Sequence, residues 1–205
     1  MIEGAFAPDR LLQVFRDFVF YPDDSKKSEA IICRYPQFFA ANKMLESLSQ
    51  HKRPAGDGKG GIYFGATGCG KTYTMLFLSR QLMLRKKDVF HNPTIVLITD
   101  REDLDTQTSK LFVTAKEYLH DKNIKSIESR DDLHDTLSNC ESGGVYITTI
   151  QKFCESTGLL SDRSNIICIS DEAHRSNAGV NAKLKKTDKG VFTTYGFAYY
   201  LRESL

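Results

Sequence analysis

Gly65-Ala66-Thr67-Gly68-Cys69-Gly70-Lys71-Thr72 gathers glycines, a lysine and a hydroxyl in one short string that follows the apolar run Ile62-Tyr63-Phe64. Glycines let consecutive backbone N–H groups converge on phosphate oxygens without side-chain interference, and a helix starting there adds its positive end. Gly65, Thr67, Gly68, Cys69 and Gly70 would then form the cradle. Lys71 would reach the β- and γ-phosphates, and the Thr72 hydroxyl would ligate magnesium. Further along, Asp171-Glu172-Ala173-His174 ends a second apolar run, Ile166-Ile167-Cys168-Ile169-Ser170. Asp171 could hold magnesium there, and Glu172 could orient or deprotonate an attacking water. Each string also has a plainer reading: a glycine turn with an exposed lysine, and a helix N-cap with a first-turn acid. As a pair they point to nucleoside triphosphate hydrolysis, because phosphoryl transfer needs both a cradle and a metal-holding acid.

The elements that would position these strings follow from hydrophobic periodicity. Leu11, Leu12, Phe15, Phe18 and Val19 recur at helical spacing and predict a helix from about Asp9 to Tyr21, started by Pro8. A second helix is expected from Pro36 to about Gln50, burying Phe39, Met44, Leu45 and Leu48. The glycines and proline between His51 and Gly60 make that stretch a loop. From Gly60 the pattern becomes strand, loop, helix, repeated. Strands are expected at Gly61 to Phe64, Thr94 to Thr99, Ile124 to Ile127, Val145 to Thr148 and Ile166 to Ser170. Helices are expected at Lys71 to Lys86, Arg101 to Val113 and Arg130 to Asn139, with a short one at Gln151 to Glu155. Ser176 to Gly190 reads as an exposed basic loop or irregular helix, and Phe192 to Glu203 as a closing helix. Strands alternating with helices predict an α/β fold, three-layered around a mostly parallel sheet.

A chain of 205 residues, 40% hydrophobic and 26% charged, has room for one ordinary domain with a sizeable core. A net charge of +2 neither announces nor excludes a nucleic-acid binder. The five cysteines (Cys33, Cys69, Cys140, Cys154 and Cys168) show no metal-ligand spacing and are odd in number, which favours a reducing, cytoplasmic setting. No signal pattern opens the chain, and no apolar stretch approaches the roughly 20 residues of a membrane span.

The two strings, together with Arg34-Tyr35-Pro36-Gln37-Phe38-Phe39-Ala40-Ala41, Thr99-Asp100-Arg101-Glu102-Asp103-Leu104-Asp105-Thr106-Gln107, Thr148-Thr149-Ile150-Gln151-Lys152-Phe153 and Asp171-Glu172-Ala173-His174-Arg175-Ser176, resemble a superfamily 2 helicase motor. More narrowly, they resemble the motor (R) subunit of type I restriction enzymes, over most of the chain. The resemblance implies the first RecA-like lobe, with an N-terminal helical segment (1–58) carrying the adenine-recognition motif and an ATP-binding lobe (59–205) truncated at its C-terminal end. It implies that Gln37 recognises adenine, with Arg34 beside it, and a carboxamide suits the donor and acceptor of the adenine edge. Asp100, Arg101, Thr148 and Thr149 match segments lining the nucleic-acid path, and His174 matches a position coupling nucleotide to nucleic acid. ATP and Mg2+ are the implied cofactors. Double-stranded DNA, methyltransferase and specificity subunits, and a second RecA-like lobe outside this chain are the implied partners; no membrane is.

A complete motor of this kind binds ATP between two lobes, the second supplying an arginine finger. The resemblance also places a Ser/Thr-rich strand between the phosphate-loop strand and the acidic-box strand, and this chain stops before it. A gap with unpaired backbone is therefore expected in the sheet. No upstream nuclease is apparent, and poor hydrolysis is expected of the isolated chain. Two other readings stay open: a lobe of another superfamily 2 helicase, from repair or type III restriction, and a non-catalytic nucleotide-binding assembly module.

Overall fold

The computed structural model describes residues 4, 6–23, 29–100, 102–153, 158–173, 183–187, 190–194, 199, 201 and 204–205, with backbone alone for 102–106, 183–187 and 190–194. The chain divides into two compact units, one of residues 1–93 and 110–122, the other of 94–109 and 123–205.

In the first unit, α1 (Pro8–Asp17) ends four residues earlier than its periodicity predicts. Val19–Phe20 (β1) instead pairs antiparallel with Ile31–Ile32 (β2). Phe18-Val19-Phe20 is rich in strand-favouring side chains, and Pro22 pushes the residue before it out of helical space. Helix α2 (Tyr35–His51) forms as expected, but it buries Gln37, Phe38, Ala41 and Leu45, leaving Phe39, Met44 and Leu48 half-buried. Helix α3 (Lys71–Arg80) follows the phosphate loop and widens into a π-helical turn, Gln81–Arg85. Phe18 stands at 4.9 Å from Phe38 and 5.3 Å from Phe77, an aromatic cluster that joins α1, α2 and α3. Helix α5 (Lys116–Leu119) adds Tyr118, whose ring lies 5.2 Å from Phe20.

Asp17 is the buried charge of this unit. Its carboxylate is fully enclosed, yet it receives Arg85 Nε at 2.5 Å and Arg16 Nη2 at 2.8 Å, with Arg80 Nε at 3.9 Å. The Asp17 carbonyl accepts the Tyr118 hydroxyl, and the Arg80 guanidinium lies 4.3 Å over the Tyr118 ring. Burial pushes the Tyr118 phenol well above its ordinary range, so it stays a donor.

The second unit is built on four parallel strands in the order β4 (Ile124–Ser126), β5 (Val145–Thr149), β3 (Thr94–Thr99), β6 (Ile166–Ser170). Every residue of β3 and β5 is buried, as an apolar parallel strand covered on both faces must be. Helix α4 (Glu102–Val113) follows β3, and α6 (Arg130–Asn139) follows β4. The Ser129 hydroxyl caps α6 by accepting from the Asp132 N–H. Leu133 and Leu137 of α6 pack with Val96, Ile98, Tyr146, Ile150, Phe153 and Leu160 in one buried cluster. The short helix expected at Gln151 is a single 3-10 turn, Ile150–Lys152. The expected α/β fold with a parallel sheet is borne out.

Two expectations are corrected. Residues 61–66 pair with no strand among the described residues, and Ile62 and Phe64 are 93% and 94% exposed. A strand is stabilised by its neighbours rather than by its own sequence, and among the described residues none pairs with this one. β6, beside which a gap was expected, has no partner on its outer side among the described residues. Finally, Lys183–Thr187 (β7) and Gly190–Thr194 (β8) form an antiparallel pair where a basic loop and the start of a closing helix were expected. The β-branched and aromatic run Val191-Phe192-Thr193-Thr194 outweighs its weak helical period. The rest of that closing helix, and Ser176 to Ala182, lie largely or wholly outside the described residues.

Candidate nucleotide site

The phosphate loop belongs to the first unit. Gly70 caps α3 in the left-handed conformation, φ 81°, and Gly68 also has a positive φ of 77°. A side chain at Gly68 would meet open space, whereas one at Gly65 would meet Cys69 Sγ at 2.7 Å. The loop is therefore tight inside and open outside, which fits backbone wrapped around a polyanion. The Cys69 N–H turns back to the Ala66 carbonyl at 3.2 Å, and Lys71 Nζ donates to the Gly65 carbonyl at 3.4 Å. Thr67 and Gly68 are exposed; Cys69, Gly70, Lys71 and Thr72 are half-buried at the start of α3. A triphosphate with its magnesium fits this donor set: backbone N–H groups, one ammonium, one hydroxyl and a helix N-terminus. Tyr63 closes the loop's flank, its hydroxyl 3.9 Å from Cys69 Sγ, and burial raises its pKa.

Gln37 is built into the same loop. It sits in the first turn of α2, 4% exposed, and its Oε1 accepts the Arg34 N–H at 2.7 Å. Its Nε2 donates to the Gly70 carbonyl at 2.9 Å and to the Cys69 carbonyl at 3.4 Å. The carboxamide thus ties two elements of this unit together, while Arg34 is exposed beside it. Sequence reasoning missed this link; the one available signal was a glutamine three residues after the helix cap, where a carboxamide reaches back to the cap backbone. The contact also explains Gly70: a Cβ there would stand 2.4 Å from Gln37 Nε2. Gly70→Ala is expected to destabilise the chain through both the collision and the left-handed backbone, the latter worth roughly 1–2 kcal/mol. Removing the amide with Gln37→Ala should relieve the collision and leave the backbone cost. Thermal melts of both single variants and the double variant check this; strict additivity would contradict it.

The acidic box belongs to the second unit. The Asp171 N–H extends the β6 ladder to the Ile98 carbonyl at 2.8 Å, so the carboxylate emerges where the strand ends. Its Oδ1 accepts the Glu172 N–H at 2.9 Å. Glu172 has a positive φ of 49°, a conformation that costs a non-glycine residue energy and that clusters at functional sites. Both acids are half-buried. The carboxyl edge of the sheet, where open α/β sheets bind ligands, also collects Asp100 after β3 and Thr148–Thr149 at the end of β5. The Asp100 carbonyl accepts Gln151 Nε2 at 2.7 Å. Thr148 and Thr149 are 0% and 4% exposed, and Lys152 Nζ stands 3.4 Å from the Thr149 hydroxyl. The two threonines therefore offer almost no exposed surface at this edge, and half-buried Lys152 beside them was not singled out from the sequence. Arg101 and His174 lie outside the described residues. Four of the cysteines are free thiols (Cys33, Cys69, Cys140 and Cys168), and Cys154 also lies outside.

A glycine loop opening a helix, and an acidic pair ending a parallel strand, are features of the phosphate-loop class of proteins. The chain belongs to the SWI2/SNF2 ATPase family, which it matches over residues 36–198. Along its whole length it is similar, at 37% identity, to the type I restriction enzyme HindI endonuclease subunit of Haemophilus influenzae, covering 19% of that protein. It is 33% identical over 89% of its length to the putative type I restriction enzyme MjaIXP endonuclease subunit of Methanocaldococcus jannaschii, covering 17% of it. A Staphylococcus aureus type I endonuclease subunit (strain COL) is 30% identical over 78% of the chain. The expected kinship, a superfamily 2 motor most like the type I R subunit, is borne out. The chain spans about a fifth of the length of these curated relatives.

Proposed function

We propose that this chain is the ATP-binding lobe of a DNA-translocating motor that works in the cytoplasm within a type I restriction complex, beside methyltransferase and specificity subunits. The observation that carries the reading is the phosphate loop, with Gly68 and Gly70 in left-handed backbone and Lys71 opening α3. In this reading Gly65, Thr67, Gly68, Cys69 and Gly70 wrap the phosphates, and Lys71 holds the terminal ones. Thr72 and Asp171 hold Mg2+, which, when bound, neutralises charge on the phosphates. Glu172 orients the attacking water and takes its proton. Gln37, with Arg34 beside it, reads adenine. Because Gln37 Nε2 is hydrogen-bonded to the loop carbonyls, base recognition and loop shape share one side chain. Asp100, Arg101, Thr148 and Thr149 belong to segments that follow the backbone of double-stranded DNA, and phosphate contacts position a strand without reading it. A second RecA-like lobe completes the site.

Titration of a fluorescent ATP analogue tests the loop. Lys71→Ala is expected to weaken binding at least tenfold, since it removes the one side-chain cation of the cradle. Equal affinity of the two proteins would reject the assignment.

A further inference from the structure

The far end of the phosphate-loop helix carries a concentration of positive charge that the nucleotide site does not use. From Lys71 to Arg85 the helix and its π turn put this end about 20 Å from the loop. The Lys86 N–H closes the widened turn on the Gln81 carbonyl at 2.9 Å, and π turns of this kind recur at functional positions. Three guanidiniums, those of Arg16, Arg80 and Arg85, meet there on the single carboxylate of Asp17. Asp17 is fully buried, whereas Arg16 is 57% exposed and Arg85 34% exposed at the side chain. Lys86 and Lys87 follow at the surface, and Lys52 Nζ donates to the Val89 carbonyl on the same turn. Within residues 14–17 and 81–89 the acids are Asp17, already surrounded, and exposed Asp88. The whole chain has 28 basic and 26 acidic residues, so this excess is local and not compositional.

We propose that this basic end is a DNA-backbone contact, separate from the segments around 100–101 and 148–149, which grips the phosphates of double-stranded DNA. Asp17 holds the guanidiniums of Arg16 and Arg85 in place, so little side-chain freedom is lost on meeting a phosphate. Contacts of this kind are blind to sequence, which is what a motor moving over arbitrary DNA requires. The inference rests on the DNA reading above and adds a surface to it.

The test is fluorescence anisotropy of a labelled duplex across a salt series. It compares the unaltered chain, Lys86→Glu/Lys87→Glu, and Lys43→Glu/Lys122→Glu, which makes the same charge change elsewhere on the first unit. Each phosphate contact contributes about 0.9 to the slope of log affinity against log salt, so the Lys86/Lys87 variant should lose about 2 from the slope. The Lys43/Lys122 variant should keep it. If the unaltered chain binds and the two variants behave alike, this surface is rejected while the DNA reading stands. If the unaltered chain does not bind duplex at all, both fall. If the Lys86/Lys87 variant keeps DNA binding but loses association with the other subunits of a restriction complex, the patch is a protein contact and the proposal is overturned.

Discussion

Glu172→Gln is expected to lower ATP hydrolysis by about 10²–10⁴-fold in a two-lobe motor of the proposed kind, while leaving ATP binding intact. The substitution keeps size and shape and removes the one property the proposed role needs, a carboxylate able to take a proton. Glu172 is suited to the role by its place in the chain. The Asp171 N–H continues the β6 ladder, the Asp171 carboxylate takes the Glu172 N–H, and Glu172 is held at a positive φ that a free chain would avoid. A carboxylate so held is aimed by backbone and not by a flexible side chain alone. Steady-state phosphate release in the presence of DNA, set beside binding of a fluorescent ATP analogue, separates the two effects. Retained turnover would remove Glu172 from the chemistry. Lost binding together with lost turnover would instead assign it to holding the nucleotide or its metal.

The largest stability effect is expected at Asp17. Asp17→Asn removes the buried negative charge around which Arg16, Arg80 and Arg85 are gathered, and leaves Arg80, 12% exposed at the side chain, without its carboxylate. Breaking a fully buried pair from one side costs about 3–5 kcal/mol, and the exposure of Arg16 and Arg85 to water brings the expected loss here below that range. The cost is read as a fall in the urea midpoint with an unchanged slope. Asp17→Leu should be no worse than Asp17→Ala, since neither restores the charge. A double variant, Asp17→Asn with Arg85→Met, should recover part of the loss, because it removes a stranded guanidinium and keeps its apolar stem. A midpoint unmoved by Asp17→Asn would show that the cluster is ornamental to the fold. The nucleotide site should register the same change, since Arg80 and Arg85 lie on the helix that Lys71 opens.

Local chemistry was legible from residue types. The phosphate loop asks for glycines at positions of positive φ, and Gly68 and Gly70 have it. The buried parallel strands Thr94–Thr99, Val145–Thr149 and Ile166–Ser170 announce themselves as unbroken apolar runs, and α6 begins at a serine cap. These features are set within a few residues, so a linear reading reaches them. Side-chain conformation across the chain was not legible. Gln37 looked like a helix-start carboxamide that could meet a base, and the fold commits it to two loop carbonyls over thirty residues away in sequence. Thr148 and Thr149 looked like strand-end hydroxyls open to a phosphate, and the fold buries them. Asp17, Arg80, Arg85 and Tyr118 gave no motif at all, because their meeting depends on helices distant in the chain.

The sequence by itself determined that this protein carries a glycine loop and an acidic box, and that strands and helices alternate around them, since periodicity and glycine placement are local properties. Tertiary structure alone decided which of those strands is paired. Ile62-Tyr63-Phe64 has strand composition and stays unpaired among the described residues, because a ladder of hydrogen bonds belongs to two segments and no single segment can specify it.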